Sequence, residues 1–334
     1  MIVIKALVFV KPHQVEIQEV EYPKPRHDEV TIKVERTGIC GTDLHIYEGT
    51  YMSSYPLIPG HEFSGVIAEV GADVAGYAVG DRVSADPNIF CGHCEYCQTH
   101  RSNQCTRFSA VGVTQNGSMA EFVKVPAKTL IKLPDDMTFQ QGAFVEPMAC
   151  VVYAMKRLQV QSGDRVLMFG AGAMGQQLVQ AIARSGASEL VVVDISEHKL
   201  QLAERFGATK TVLSAQLDER LGQDKFDIVV EATGIPSVIQ RAFQYLGPAA
   251  KYLQFGVADT DATVQLNPYQ LFNNDWTLLG SMAVHYTTIP AMRWIHEGRI
   301  QVDHLVSNTI SLEQAVAFFQ NKKAADLLKT QIQL

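Results

Sequence analysis

Short runs of alternating apolar and polar residues fill the first third of the chain. Glu29–Glu35 and Ser64–Val70 each put every second side chain on one apolar face, and Gly38, Gly60, Gly65, Gly71 and Gly80 punctuate them. A period of two broken by glycines predicts a β-rich, irregular lobe from Ile2 to about Leu133. From Arg165 the texture changes. Apolar runs at Val166–Phe169, Leu190–Asp194 and Asp227–Glu231 alternate with helix-period stretches at Met174–Arg184, Glu197–Phe206 and Val238–Tyr245. That alternation predicts a doubly wound parallel sheet, an α/β arrangement. Further strands are predicted at Lys251–Phe255 and Trp276–Gly280, with helices near Ile289–His296 and Leu312–Gln320. The lobes should meet in sequence near Thr138–Val151, after Pro134 and the Asp135–Asp136 pair. A return to the first lobe is one placement for the last forty or so residues.

Length and charge narrow the picture. At 334 residues the chain exceeds the size at which one core stops growing, so two lobes are expected. A net charge of -7 and a pI near 5.8, with no basic block, argue against a nucleic-acid partner. The run Met1–Phe9 lacks the layout of a signal peptide and reads as a first strand, and no stretch approaches the roughly 20 apolar residues of a membrane span. A cytoplasmic protein with no membrane partner is expected.

Four of the six cysteines, Cys91, Cys94, Cys97 and Cys105, fall in one short polar stretch, the first three separated by two residues each. That spacing predicts a closed tetrahedral thiolate site for a structural zinc ion. A pair of disulfides is the competing reading, and nothing else in the chain looks secreted.

Gly170-Ala171-Gly172-Ala173-Met174-Gly175 follows a predicted strand and opens a predicted helix. This is the setting of a dinucleotide cradle: one glycine for the tight turn, one for pyrophosphate approach, one for helix–sheet packing. Asp194 ends the next strand, where its carboxylate can accept from a ribose diol and repel a 2′-phosphate. NAD is therefore expected over NADP. Lys199 tempers that preference, and Thr233 is a further candidate cofactor contact. Packing alone could also explain such glycines, and Asp194 could be a strand-end solubiliser.

A second candidate metal set lies upstream. Cys40 sits in Gly38-Ile39-Cys40-Gly41-Thr42-Asp43, and His61-Glu62 follows Pro59-Gly60. A thiolate and an imidazole leave zinc in need of a further ligand, for which Glu62 and Glu146 are candidates. Singly, each residue is more often a core histidine or an inert thiol. Their joint occurrence beside a cofactor motif makes the case for a second, catalytic zinc.

Together, Cys40-Gly41-Thr42-Asp43-Leu44-His45, Gly60-His61-Glu62, the cysteine quartet, Gly80-Asp81-Arg82-Val83 and Val145-Glu146-Pro147 resemble the zinc-dependent medium-chain dehydrogenases over nearly the whole chain. The nearest pattern is the polyol branch, typified by sorbitol dehydrogenase, with threonine dehydrogenase close behind; Glu146-Pro147 carries that subdivision. The resemblance implies a GroES-like catalytic domain from residues 1–145 and 286–334, with a Rossmann NAD-binding domain inserted at 146–285. It implies Cys40 and His61 as catalytic zinc ligands, Glu62 as a ligand or near-ligand, and Glu146 as a ligand or the holder of a water on the metal. Cys150 is expected to be a buried free thiol. A homodimer or homotetramer is implied.

Zinc acting as a Lewis acid would acidify a substrate hydroxyl, so that its carbon can pass hydride to a nicotinamide. Thr42 and His45 could relay the released proton, or Glu146 could handle it. Thr42 could equally brace its loop, and His45 could hydrogen-bond a ribose or a carbonyl. A carboxylate-bearing metal site suits a sugar alcohol. The segment Tyr47–Tyr55, Tyr153 and His285 are candidate pocket residues. Sorbitol-type enzymes carry an arginine in the segment matching Gly280–His285, and this chain does not. The enzyme alternative is L-threonine 3-dehydrogenase. A non-catalytic NAD-binding protein and a zinc module for protein or nucleic-acid contact are the alternatives of other classes.

Overall fold

The alternating segment Glu29–Gly38 is the central strand of a seven-stranded sheet, and it buries Val30, Ile32 and Val34 on one face. In the computed structural model, which describes residues 2–321 and 327–334, the sheet order is Val306–Ile310, Lys329–Gln333, Glu29–Gly38, Glu62–Val70, Arg82–Ala85 and Leu130–Lys132. Phe122–Pro126 also pairs with Glu29–Gly38. Their inward residues form one core of Val30, Ile32, Phe63, Ile67, Val83, Val123 and Val125. The C-terminal strand thus lies antiparallel beside Glu29–Gly38, with Gln331 opposite Gly38, and the chain end does return to the first lobe. The chain divides into Met1–Ala149 with Val284–Leu334 as one unit and Cys150–Ala283 as the other. This is a GroES-like domain interrupted in sequence by a Rossmann domain.

The second unit is a parallel sheet in the order Lys210–Leu213, Glu189–Asp194, Arg165–Phe169, Phe226–Glu231, Leu246–Gln254, Thr277–Gly280. In chain order that is 3-2-1-4-5-6, the arrangement that binds dinucleotides where the order reverses, beside its first strand. Val191, Val192 and Val193 are all buried, as befits a parallel strand covered on both faces. The helices Ala173–Ala183, Glu197–Arg205 and Pro236–Ala242 fall where the periodicity places them. Among the elements not anticipated, two are instructive. Lys210–Leu213 is a four-residue edge strand with a single fully buried side chain, too short to show a period. Val145–Leu158 is a helix of 14 residues in the stretch read as a boundary.

The three glycines of the loop do different work. Gly170 has φ +99°, which favours glycine, and its N–H donates to Val193 O at 2.8 Å. A Cβ on Gly175 would lie 2.2 Å from Gly170 O, so the helix can approach the strand only without a side chain there. A Cβ on Gly172 would meet no atom within 4 Å. Its smallness serves no packing and leaves open space, as a cradle for a ligand requires. Two substitutions should separate these roles. Gly175→Ala should cost about 1–3 kcal/mol, the overpacking outweighing the roughly 1 kcal/mol that alanine otherwise gains in a helix. Gly172→Ala should leave thermal stability within about 0.5 kcal/mol, as at an ordinary open site. It should nonetheless weaken dinucleotide binding about tenfold or more, as loss of roughly 1.4 kcal/mol would. Melting curves and NADH fluorescence titration read the two effects; equal stability loss in both variants would deny Gly172 its binding role.

Candidate functional site

The cysteine quartet is assembled almost wholly from local turns. Cys94 caps the one-turn helix Glu95–Gln98, and Cys105 ends the turn Ser102–Gln104. The four sulfurs lie within 4.8 Å of one another, with Cys91–Cys97 and Cys94–Cys105 each 3.9 Å apart. A tetrahedron with zinc–sulfur bonds near 2.3 Å has edges of roughly 3.8 Å, so the residues fit a zinc ion. No pair is bonded as a disulfide, the sulfurs being far beyond the roughly 2.05 Å of such a bond. Backbone N–H groups of Cys91 and Arg107 point at Cys105 Sγ at 3.4 and 3.3 Å. N–H donors from Cys97 and Thr106 hold the Cys94 thiol down to about 5, favouring the thiolate.

The second set is built by the sheet. Cys40 follows the strand Glu29–Gly38 and precedes the helix Gly41–Glu48; His61 and Glu62 enter the strand Glu62–Val70. One ligand atom each from Cys40, His61 and Glu62 falls within a 4.8 Å set, with His61 and Glu62 buried. A soft sulfur, a ring nitrogen and a carboxylate form a donor set that suits zinc. Asp43 organises it. Its Oδ2 accepts from Cys40 N at 2.8 Å, its Oδ1 accepts from Gly60 N at 3.3 Å, and the same Oδ1 stands 3.5 Å from His61 Nδ1. The Nδ1 approach is too loose for a formed hydrogen bond, and this buried nitrogen has no other partner. Asp43 thus faces Nδ1, so Nε2 is the nitrogen that would bind a metal, the usual outer-shell arrangement of a histidine ligand. Burial works against a charged His61, yet Asp43 and Cys40 outweigh it and hold the imidazole well above its ordinary value.

Glu62 has a second partner that sequence reading missed. Both of its oxygens accept from Lys329 Nζ at 2.7 Å, and the same ammonium donates to Ile39 O at 3.2 Å. Lys329 is 4% exposed and Glu62 1%. Burial opposes the charged lysine, but Glu62 and Cys40 hold its pKa above the ordinary lysine value. A Cβ on Gly38 would lie 2.2 Å from Glu62 Oε2, so the glycine makes room for the carboxylate.

Glu146 lies in the first turn of Val145–Leu158 and is not one of the three residues whose ligand atoms fall within 4.8 Å of one another. Burial pushes its carboxyl up to about 7; His61 opposes the rise, and Glu62 and Asp86 add to it. Asp86 is itself pushed up to about 6, by burial that outweighs two hydrogen bonds from Asn88. Thr42 is half-buried on the helix Gly41–Glu48. On the same helix, His45 Nδ1 lies 3.4 Å from Thr50 Oγ1. Tyr47 is no pocket residue: it packs on Phe9 and Phe319 and donates to His13 O. Burial raises the pKa of the Tyr51 hydroxyl, with His61 opposing the rise and Cys40 adding to it. His285 packs on Tyr286 with the rings tilted by 53°, and Tyr153 is half-buried on Val145–Leu158. Cys150 is half-buried and forms no disulfide.

In the second unit, Asp194 Oδ2 accepts from Ala171 N at 2.6 Å and Oδ1 from Ser196 N at 2.9 Å. The carboxylate is thereby fixed against the glycine loop, where a ribose diol would meet it. Thr233 follows the strand Phe226–Glu231, and its Cγ2 would be 2.9 Å from a Cβ on Gly170. Gly172, Ala173 and Met174 are half-buried at the helix start, and Ala171 is buried. Lys199 is buried on Glu197–Arg205, its carbonyl accepting from Gln176 Nε2 at 2.8 Å.

Two consequences can be measured. Lys329→Met leaves Glu62 buried without its counter-charge and should cost about 3–5 kcal/mol in urea unfolding. Adding Glu62→Gln should recover part of that loss; additive losses would mean the pair is not coupled. For Asp86, the folded-state pKa near 6 exceeds the ordinary 3.8, so the folded state binds the extra proton. Stability must then fall as pH rises from about 4 to 6. Asp86→Asn should match wild type near pH 4 and exceed it by about 2–3 kcal/mol above pH 6, at 1.36 kcal/mol per unit. Identical pH–stability curves would refute the burial penalty.

Residues 26–135 match the family described as alcohol dehydrogenase GroES-like domain, and residues 173–297 the family described as zinc-binding dehydrogenase. The chain is 33% identical over 318 residues to D-arabinitol dehydrogenase 1 of Uromyces fabae, covering 92% of this chain and 91% of that one. It is 34% identical over 272 residues to L-threonine 3-dehydrogenase of Shewanella woodyi, covering 78% and 79%. Among solved structures, a zinc-binding dehydrogenase of Sinorhizobium meliloti bound to NADP superposes with a TM-score of 0.96 at 30% identity, over 100% of both chains. With these matches spanning both domains, the chain belongs to the zinc-dependent medium-chain dehydrogenase family and is an oxidoreductase.

Proposed function

We propose that this enzyme oxidises a secondary hydroxyl of a sugar alcohol to a ketone, passing hydride to NAD. The observation that carries the reading is the convergence of half-buried Cys40 with buried His61 and Glu62, held by Asp43 and Lys329, with a further buried carboxylate, Glu146, that feels the charges of His61 and Glu62. Cys40, His61 and Glu62 would hold the catalytic zinc, and the quartet Cys91, Cys94, Cys97 and Cys105 a structural one. When bound, the catalytic ion supplies Lewis acidity that makes an alcohol proton removable near neutrality. Glu146 then takes that proton, its burial favouring the neutral acid it becomes. Thr42 and His45 provide a hydroxyl and an imidazole on the helix that Cys40 caps, able to pass the proton toward water. The balance is one hydride to the cofactor and one proton released.

Gly170 to Gly175, Asp194 and Thr233 would hold NAD. The preference over NADP is supported by the fixed Asp194 carboxylate, which a 2′-phosphate would have to displace or neutralise, and by Ile195, 83% exposed where an arginine would be useful. The arabinitol dehydrogenase relative supports a polyol substrate, and carboxylates around the metal tolerate neighbouring hydroxyls. The threonine dehydrogenase relative supports the second reading, an amino alcohol. A homodimer or homotetramer working in the cytoplasm belongs to the same proposal. Among the described residues, no helix is long and apolar enough to cross a membrane.

A screen of sorbitol, arabinitol, galactitol and threonine with NAD and NADP, with and without chelator, decides the substrate class. Polyol turnover with NAD that chelation abolishes is expected; threonine as the preferred substrate would replace the polyol reading. Cys40→Ser and His61→Ala should abolish turnover while NADH still binds. Asp194→Ala should raise the NADP:NAD ratio of kcat/KM, and an unchanged ratio would count against the ribose contact.

A further inference from the structure

The strand Arg82–Ala85 runs antiparallel to Glu62–Val70, with Ser84 opposite Ser64 and Val83 opposite Gly65. Carried two residues beyond its last pair, that register puts Asp86 across from Glu62, a spacing of about 5 Å between neighbouring strands. Its main chain is fixed there by Asp86 N donating to Thr129 O at 2.9 Å. The side chain is fixed as well. Asp86 Oδ1 accepts from Asn88 N and from Asn88 Nδ2, both at 2.9 Å, which leaves Oδ2 as the oxygen able to accept from a ligand. Among the described residues no lysine, arginine or histidine forms an ion pair with it. A carboxylate so placed costs stability and has no structural counter-charge, a pattern found at binding sites.

Asp86 also lines a cavity of about 370 Å³ within the first unit, together with Asn88, Lys128, Thr129 and Thr288. Phe90, Leu130 and Ile131 supply apolar wall between these polar groups. A volume of a few hundred cubic ångströms with few, fixed polar groups is what a small-molecule site requires. Lys128 is held back by donating to Phe90 O at 3.3 Å, so the carboxylate is the pre-aimed acceptor of the cavity. A polyol, which carries hydroxyl donors on every carbon beside the reacting one, has the chemistry to use it.

We propose that Asp86 is a specificity-determining residue that accepts a hydrogen bond from a hydroxyl beyond the reacting carbon, with the adjoining cavity holding the rest of the polyol chain. This rests on the polyol reading given above. A simple secondary alcohol has no second hydroxyl to offer this half-buried acceptor, whereas a polyol can give it a charge-assisted bond.

The test compares zinc-loaded wild type, Asp86→Asn and Asp86→Ala on the best polyol of the screen and on 2-butanol, which has no neighbouring hydroxyl. The expected result is a fall of about 10- to 100-fold in the polyol:2-butanol ratio of kcat/KM in both variants, the loss of one charged hydrogen bond, appearing mainly in KM. Zinc content and NADH affinity, measured alongside, should match wild type. A ratio that stays constant, whether both activities fall together or neither does, overturns the assignment. Failure of the polyol reading itself would show in the wild-type arm, as absent polyol turnover, before any variant is compared.

Discussion

Charge compensation in a dry interior is the constraint on which the candidate active site depends. Asp43, Glu62 and Glu146 are each less than a tenth exposed, and Cys40 stands among them; the cations that face them are Lys329 and His61. Isolated buried charges are far too costly to persist, so each must be paired, coordinated or neutralised. The structure shows pairing and neutralisation in one place. Glu62 is paired to Lys329 through both oxygens. His61 is held between Asp43 and Cys40. Glu146 is driven toward its neutral form. The excess of anionic donors is what a divalent cation would balance, and it explains why so many acidic groups can share one end of a sheet.

The two metal sites use the chain in opposite ways. The cysteine quartet spans 15 consecutive residues and closes through turns, so its geometry is a local property of residues 91–105. Four thiolates satisfy the ion and leave it no open position, which assigns the site to stabilising its own segment. The Cys40 set draws on residues up to 290 positions apart, counting Lys329 and the carbonyl of Ile39. Its geometry is a property of the sheet. A site assembled that way can keep an open metal position, because the scaffold holds the ligands and the ion is not needed to complete the fold.

That difference also explains what was legible in sequence. The quartet, the glycine loop and Asp194 carry their geometry in spacing along the chain, and each side chain stands where the spacing implies. Cys40, His61 and Glu62 were legible as a set through their glycine-flanked motifs. The alternating periods made the parallel, doubly wound class legible but not the strand order, whose edge strand Lys210–Leu213 is too short to show a period. Lys329 was not legible, because a lone lysine in a C-terminal strand gives no sign that a partner lies 267 residues away. Asp43 had a local sign, being the third residue of a helix that Cys40 caps, where a carboxylate reaches back to the cap N–H. Its further grip on Gly60 needed the fold. The helix Val145–Leu158 was hidden by its position, since an apolar stretch next to a change of texture reads as a boundary as readily as a helix.

One row across the seven-stranded sheet links these features. Gln331 faces Gly38, Gly38 faces Glu62, and the continued register brings Asp86 beside Glu62. Just beyond this row, Ile39 and Cys40 leave one strand, and Gly60 and His61 enter the next. Ladder hydrogen bonds fix the register and spacing of neighbouring strands, so ligands placed one residue past a paired row inherit their positions from the sheet. Glycine at position 38 is then dictated by the same row: the carboxylate opposite it would otherwise collide with a side chain. The arrangement keeps the acidic groups fixed before any ion or substrate arrives. A preorganised site of this kind loses little entropy on binding, and its catalytic groups need not reorganise as charge develops.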